Sequence, residues 1–99
     1  MSVIIDLSIF PLDAGGGSLS PHVARALNII RNSGLPYQLG PMGTSIEGEW
    51  DEVMAVVGAC YRELSMDFDR IYLNMKADCR KGRSGGLSEK VRSVMAKQQ

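Results

Sequence analysis

Apolar residues recur with two different periods along this chain, and the order in which those periods change constrains the fold more than any other sequence feature. Alternation over residues 3–10 predicts a first β-strand, whose apolar side holds Val3, Ile5, Leu7 and Ile9. A helical period then runs from Ser20, which precedes a proline and is expected to be the N-cap, to Gly34, which suits a left-handed helix end. Short strands are predicted over 36–40 and 44–48, with a turn between them.

The second half of the chain repeats the change from strand to helix and back. Acidic residues at 49, 51 and 52 indicate a helix start, and the core stripe of this helix consists of Val53, Val56, Val57, Cys60 and Leu64. A last strand is predicted over 70–77, and Ser88 is expected to cap a short C-terminal helix that docks on another element. This order predicts an α+β, ferredoxin-like βαββαβ sandwich with two helices on one face of a four-stranded antiparallel sheet. With 99 residues, one domain spanning 1–99 is expected.

The sheet face opposite the two helices is expected to mix polar and aromatic side chains. By strand alternation it receives Ile4, Asp6, Ser8, Phe10, Gln38, Ser45, Glu47, Tyr72, Asn74 and Lys76. A carboxylate, amides and hydroxyls beside aromatic rings suit the capture of a planar heterocyclic small molecule. The alternative is that this face packs against another subunit, and the two functions are compatible.

The turn Gly40-Pro41-Met42-Gly43 fixes where the returning strand begins, because proline presets φ at the second turn position. A slip of one residue would move Ser45 and Glu47 to the core side and expose Ile46. The turn is therefore interpreted as a device that positions a ligand-binding face.

Several function classes are disfavoured by composition and motifs. Eleven basic residues balance eleven acidic ones, and the basic stretch 76–83 is interpreted as a solvated loop, with a phosphate-contacting patch as the alternative. Cys60, Cys79 and His22 lack the spacing of a metal or redox site, so neither a metal, a cofactor nor a catalytic group is predicted. The central strands offer only Phe10, at the end of the first strand, as an aromatic residue that could stack a base, which argues against nucleic acid. No apolar run reaches the ~18 residues of a membrane span, and Asp6 interrupts the first run, so a cytoplasmic protein is expected.

A further pattern joins the segments described above. Tyr37-x-x-Gly40-Pro41-x-x-Thr44-x-x-Glu47-Gly48-Glu49, together with Pro11 after the first strand, Lys76-x-Asp78-x-Arg80 and Glu89-Lys90-Val91, resembles the small thiamine-binding proteins long catalogued as an uncharacterised protein family. The resemblance implies a ferredoxin-like fold, dimers assembled into tetramers, and binding of thiamine or its hydroxymethylpyrimidine moiety without catalysis.

The candidate ligand-binding residues come from two sources. The resemblance places ligand contacts at Thr44 and Glu47, and the backbone at Gly43 is added from the same hairpin; the mixed sheet face adds Gln38, Ser8 and Asn74. For Thr44 the two sources conflict, because alternation places it with Ile46 on the helix side. They agree only if Thr44 lies at the end of the sheet. The alternative function is an ACT-like regulatory or assembly module that binds another small metabolite, such as an amino acid.

Overall fold

The computed structural model describes residues 2–82 and 86–98, and within them four antiparallel strands and three helices make up the fold. The elements are β1 Ser2–Pro11, α1 Ser20–Asn32, β2 Tyr37–Leu39, β3 Thr44–Gly48, α2 Trp50–Ser65, β4 Ile71–Arg80 and α3 Gly86–Lys97. The strands form one sheet in the order β2-β3-β1-β4, with every neighbouring pair antiparallel. The predicted α+β, ferredoxin-like architecture is confirmed.

The core lies between one face of this sheet and the helices α1 and α2. The central strand β1 sets the register, pairing Ile5 with Ile46 on β3 and Leu7 with Met75 on β4. The buried core residues are Val3, Ile5, Leu7, Ile9, Ala26, Ile30, Ile46, Val53, Val56, Val57, Cys60 and Leu64. The predicted core stripe of α2 is thus confirmed, as is the apolar side of β1. Full burial of a Val, Leu or Ile side chain contributes roughly 1.5–3 kcal/mol. The apolar residues that recur along the strands and helices therefore hold these elements together.

Several predicted element ends are wrong. Leu19, rather than Ser20, occupies the N-cap of α1, and Ser20 is the first helical residue. Ser88 lies inside the first turn of α3, which begins at Gly86. Residues 78–80, expected in a loop, belong to β4, because the first half of β1 extends far enough to pair with them, as in Val3 with Cys79. Gly34 has φ +79°, as expected for the end of α1.

The third helix corrects the expectation of an open second face. α3 contacts β1 and β3 on the side opposite α1 and α2, above Glu47. The Lys90 ammonium on α3 also lies 2.5 Å from the Asp78 carboxylate on β4. The sequence predicted that this helix would dock, and it docks on the mixed face, which is therefore covered in part.

Candidate functional site

A cavity opens at the end of the sheet where β1 extends beyond β3. Pairing between these strands ends at Leu7 and Thr44, whereas β1 continues to Pro11 beside β4. The space next to this unpaired stretch is closed on one side by α1 and on the other by the turn 40–43, and its volume is about 580 Å³. It is lined by Leu7, Ser8, Ile9, Phe10, Leu19, Ser20, Val23, Ala24, Ala26, Leu27, Ile30, Leu39, Gly40, Pro41, Met42, Gly43 and Thr44. We call it the sheet-end cavity.

The walls of the sheet-end cavity are apolar, with a few hydroxyl and backbone groups among them. Among the described residues that line it, none carries a carboxylate, ammonium, guanidinium, imidazole or thiol group. This volume and composition are typical of a small-molecule pocket, in which apolar walls give affinity and a few polar groups fix orientation.

The turn at the mouth of the cavity is held tightly against β1. Gly40 N–H donates to the Gly43 carbonyl oxygen at 2.8 Å. A Cβ atom at Gly43 would lie 2.9 Å from Asp6 Oδ1 and 3.1 Å from the Leu7 carbonyl oxygen, so only glycine allows this approach. The backbone of Gly43 therefore fixes the start of β3 and, with it, the position of the next residue.

Thr44 is that next residue, and its side chain is buried. It pairs with Leu7, so it lies on the helix side of the sheet, and only 6% of it is exposed. Within residues 2–82 and 86–98, no hydrogen bond of its hydroxyl group is found. Leaving a buried hydroxyl unpaired costs roughly 1–3 kcal/mol. Thr44 therefore lies on the helix side of the sheet, as strand alternation predicts, and also lines the cavity at the end of the sheet. A position on the helix side is thus compatible with the ligand contact that the family resemblance implies.

Glu47 lies on the opposite face, outside the sheet-end cavity. The residue is 5% exposed, and its carboxylate accepts hydrogen bonds from Ser2 Oγ (2.8 Å), Gly86 N–H (2.7 Å) and Leu87 N–H (3.3 Å). It thus binds the N-terminus of α3, where a negative charge also complements the helix dipole. The structure does not bring Thr44 and Glu47 to one site, although both belong to the same sequence motif.

The three residues predicted from the mixed face are separated as well. Ser8 is half-buried and lines the sheet-end cavity with Thr44 and Gly43. Gln38 is exposed on β2 and lines a second pocket of about 600 Å³ beside α3, together with Val91 and Met95. Asn74 is exposed on β4 and lines neither pocket. Only Ser8, Gly43 and Thr44 of the predicted set therefore share one cavity.

Comparison with known proteins agrees with the sequence pattern. A family model described as "Thiamine-binding protein" matches residues 5–95. The chain belongs to the thiamine-binding protein family. The UPF0045 protein sll0230 of Synechocystis is 38% identical over 95 residues, covering 95% of this chain and 78% of the relative. A UPF0045 protein of Methanothermobacter thermautotrophicus is 35% identical over 97 residues, covering 96% of this chain and 98% of the relative.

Two solved structures are similar to this thiamine-binding family member over nearly their whole length. The protein MJ1052 of Methanocaldococcus jannaschii has a TM-score of 0.85 at 28% identity, covering 94% of this chain and 95% of that one. A Thermotoga maritima protein, TM0486, whose name suggests a place in thiamine biosynthesis or salvage, has a TM-score of 0.83 at 29% identity, covering 95% and 99%. The family assignment therefore rests on both sequence and fold.

The sequence did not reveal the apolar walls that this family member places around the cavity. Leu19 at the N-cap of α1 and Val23 and Leu27 within the helix recur at intervals of four residues and line the cavity. Leu39 and Met42 lie on either side of Gly40-Pro41 and are largely exposed. Apolar residues on both sides of a Gly-Pro turn were the available clue.

Other groups that carry chemistry are not arranged for it. Burial raises the pKa of the Cys60 thiol to about 11, so that the unreactive thiol form prevails at neutral pH. In the described ranges no three side chains of the His, Cys, Asp and Glu types are grouped closely enough to hold a metal ion. No helix in those ranges has the length and apolar character needed to cross a bilayer.

Proposed function

We propose that this domain binds thiamine or its hydroxymethylpyrimidine moiety, without catalysis, in the sheet-end cavity. The observation that carries the proposal is the buried hydroxyl group of Thr44 on a largely apolar wall, for which residues 2–82 and 86–98 supply no hydrogen-bond partner. A polar edge of a bound heterocycle would satisfy that hydroxyl, while the apolar walls would contact the faces of the ring. Membership of a family named for thiamine binding supports the same ligand class.

The uncharged lining suggests how thiamine would be oriented. An aminopyrimidine ring is neutral near pH 7, whereas the thiazolium ring carries a fixed positive charge. Burial of an unpaired charge is far more costly than burial of a hydrogen-bonded polar group. We therefore assign the pyrimidine to the interior, near Thr44, Ser8 and the Gly43 backbone, and the thiazolium to the mouth. The same lining offers neither a general base nor an activated nucleophile, which supports binding without catalysis.

Calorimetric titration of a matched pair of variants tests the site. Thr44→Val removes the hydroxyl group at nearly constant volume and should weaken hydroxymethylpyrimidine binding by roughly two- to tenfold, since one hydrogen bond contributes roughly 0.5–1.5 kcal/mol. Ser45→Ala changes the next residue, which is half-buried on the opposite face, and should leave the affinity unchanged. Equal affinities for Thr44→Val and the parent chain would refute the site.

The same titration separates the proposal from the ACT-like alternative. The free thiazole alcohol should bind far more weakly than hydroxymethylpyrimidine, because it supplies only the half assigned to the mouth. A panel of amino acids should give no heat of binding. Binding of an amino acid in the absence of any response to thiamine or hydroxymethylpyrimidine would favour a regulatory module.

We also propose that the domain works as a homodimer or homotetramer in the cytoplasm. Large apolar side chains stay exposed in the single chain, among them Trp50 and Tyr61 on α2 and Val94 and Met95 on α3. Such patches on a small domain are typical of interfaces. Both cysteines are free thiols, which agrees with a reducing compartment. Light scattering measures the molar mass of the assembly, and a monodisperse species of 10.8 kDa would contradict the proposed dimer or tetramer.

A further inference from the structure

The backbone of Ile9 faces the sheet-end cavity at the point where β1 loses its neighbour β3. Ile9 lies two residues past Leu7, the last residue of β1 that pairs with β3. Continuing that register would set Met42 opposite Ile9, but Met42 lies in the turn 40–43 and is 86% exposed. Ile9 itself is only 6% exposed and lines the cavity. A short, buried piece of strand edge is therefore left open here.

Residue parity gives the direction of the Ile9 backbone groups. Leu12 N–H donates to the Arg70 carbonyl oxygen at 2.8 Å, so even-numbered residues of β1 direct their N–H and C=O groups toward β4. Odd-numbered residues direct theirs toward β3, in agreement with the pairing of Leu7 with Thr44. Ile9 therefore directs one donor and one acceptor into the sheet-end cavity. Among the residues that the structure describes, no hydrogen bond to either group is found.

The size of this open edge indicates what kind of partner fits it. Nearly all buried backbone N–H and C=O groups in folded proteins have a hydrogen-bond partner. The open edge is one residue long, because Leu7 pairs with Thr44 and Pro11, the next residue of the same parity, lacks an N–H group. A peptide that adds a strand to a sheet needs several such residues in a row. A flat ring that carries one donor beside one acceptor needs only one.

We infer that the backbone of Ile9 recognises a heterocycle in which an amino group lies next to a ring nitrogen. The ring nitrogen accepts a hydrogen bond from Ile9 N–H, and the amino group donates one to the Ile9 carbonyl oxygen. Two facing residues of an antiparallel sheet exchange the same pair of hydrogen bonds. The ring thus occupies the place that a further residue of β3 would take. Leu27 and Ile30 on α1 line the same cavity and offer an apolar surface to one face of the ring.

This inference rests on the proposed function and names the part of the ligand that determines specificity. The pyrimidine ring of thiamine and of hydroxymethylpyrimidine carries an amino group beside a ring nitrogen, whereas the thiazolium ring has no amino group. A pyrimidine without the amino group would leave the buried Ile9 carbonyl oxygen unpaired, which is costly. Sites built to bond a ligand N–H group reject analogues that lack it for the same reason. The recognising groups belong to the backbone, so their position depends on where β3 ends.

Amide hydrogen exchange measured by NMR tests the contact at Ile9 itself. In the free chain the Ile9 amide should exchange faster than the amide of Leu7, because only Leu7 is paired with β3. Saturation with hydroxymethylpyrimidine should slow exchange at Ile9 at least tenfold more than at Leu7. With isotopically labelled hydroxymethylpyrimidine, a scalar coupling should appear between the Ile9 amide nitrogen and a ring nitrogen. Binding of hydroxymethylpyrimidine without protection of the Ile9 amide would overturn the inference and leave the proposed function standing.

A matched pair of small rings tests the recognised edge separately from thiamine. 4-Aminopyrimidine carries the amino group beside a ring nitrogen, and unsubstituted pyrimidine lacks it. In NMR titrations 4-aminopyrimidine should bind at least tenfold more tightly and should slow exchange of the Ile9 amide. Equal affinities of the two rings, or no binding of either, would overturn the inference. Protection of Ile9 by 4-aminopyrimidine without any binding of thiamine or hydroxymethylpyrimidine would support the recognised edge and refute the proposed ligand.

Discussion

Replacing Glu47 by glutamine should weaken the docking of α3 on the sheet, rather than only a ligand contact. The carboxylate accepts three hydrogen bonds, from Ser2 Oγ and from the Gly86 and Leu87 N–H groups, in a buried position. Glutamine keeps the shape but turns one acceptor oxygen into an NH₂ donor. That donor would face N–H or O–H donors whichever way the amide is oriented.

The expected cost follows from these contacts. A hydrogen bond to a charged group contributes roughly 1.5–3 kcal/mol, and the interaction of the charge with the dipole of α3 adds about 0.3–1 kcal/mol. Ser2 can reorient its hydroxyl group and recover part of this, so we expect a net loss of about 2 kcal/mol. For a domain of this size that corresponds to a fall in Tm of roughly 8–16 °C if α3 unfolds with the rest. If α3 opens alone, amide hydrogen exchange in residues 86–97 should accelerate by about thirtyfold instead.

Urea denaturation and hydrogen exchange by mass spectrometry measure the two outcomes. Glu89→Gln is the matched control, because Glu89 is an exposed carboxylate in the first turn of the same helix. Its pairing with Arg92 lies at the surface, where such ion pairs contribute only about 0–1 kcal/mol. Unchanged stability and exchange in Glu47→Gln, combined with weaker thiamine binding, would refute this reasoning and restore Glu47 as a ligand contact.

Two other predictions concern the turn and the thiols. Gly43→Ala should destabilise the fold by about 1–3 kcal/mol in urea titrations, because its methyl group would collide with the Asp6 carboxylate and a neighbouring carbonyl oxygen. Gly16→Ala, whose added Cβ meets open space, should change stability little, and an equal loss in both variants would contradict the packing argument. At pH 8 a thiol reagent should modify Cys79 alone in the native chain, since burial raises the pKa of Cys60 to about 11, and both thiols after unfolding. Because the folded-state pKa of Cys60 is raised, this thiol lowers the free energy of unfolding only above its unfolded pKa of about 9. Rapid modification of Cys60 in the native chain at pH 8 would contradict the prediction, since it would show that the buried site opens to solvent.

Hydrophobic periodicity was sufficient to predict the element order and most of the core. A strand or helix with one buried side repeats apolar residues at its own period, so each element can be recognised from its own segment of the sequence. The predicted ends of strands and helices are wrong where a neighbouring element determines the end. β4 continues to Arg80 because β1 pairs with it there, and the capping serines were misplaced because helix ends depend on local hydrogen bonds that tertiary contacts rearrange.

The candidate site was predicted less well, since a site is a set of distances between elements. Thr44 and Glu47 are three residues apart in one strand, and an odd separation sends their side chains to opposite faces. The sequence was therefore sufficient to place these two side chains on opposite faces. It was not sufficient to predict that α3 docks over Glu47, because the few apolar residues of that helix suit many surfaces equally well.

The sequence by itself determined which side chains lie on each face of the sheet, where the glycine-proline turn starts the returning strand, and which family the chain resembles, since each of these depends on local geometry or on the identity of residues. Only the tertiary structure decided that β1 extends beyond β3 to open a cavity against α1, and that Glu47 binds the start of α3. Cavities and buried carboxylate contacts arise from the relative placement of separate elements. That placement minimises the free energy of the whole chain and leaves no periodic trace in any one segment.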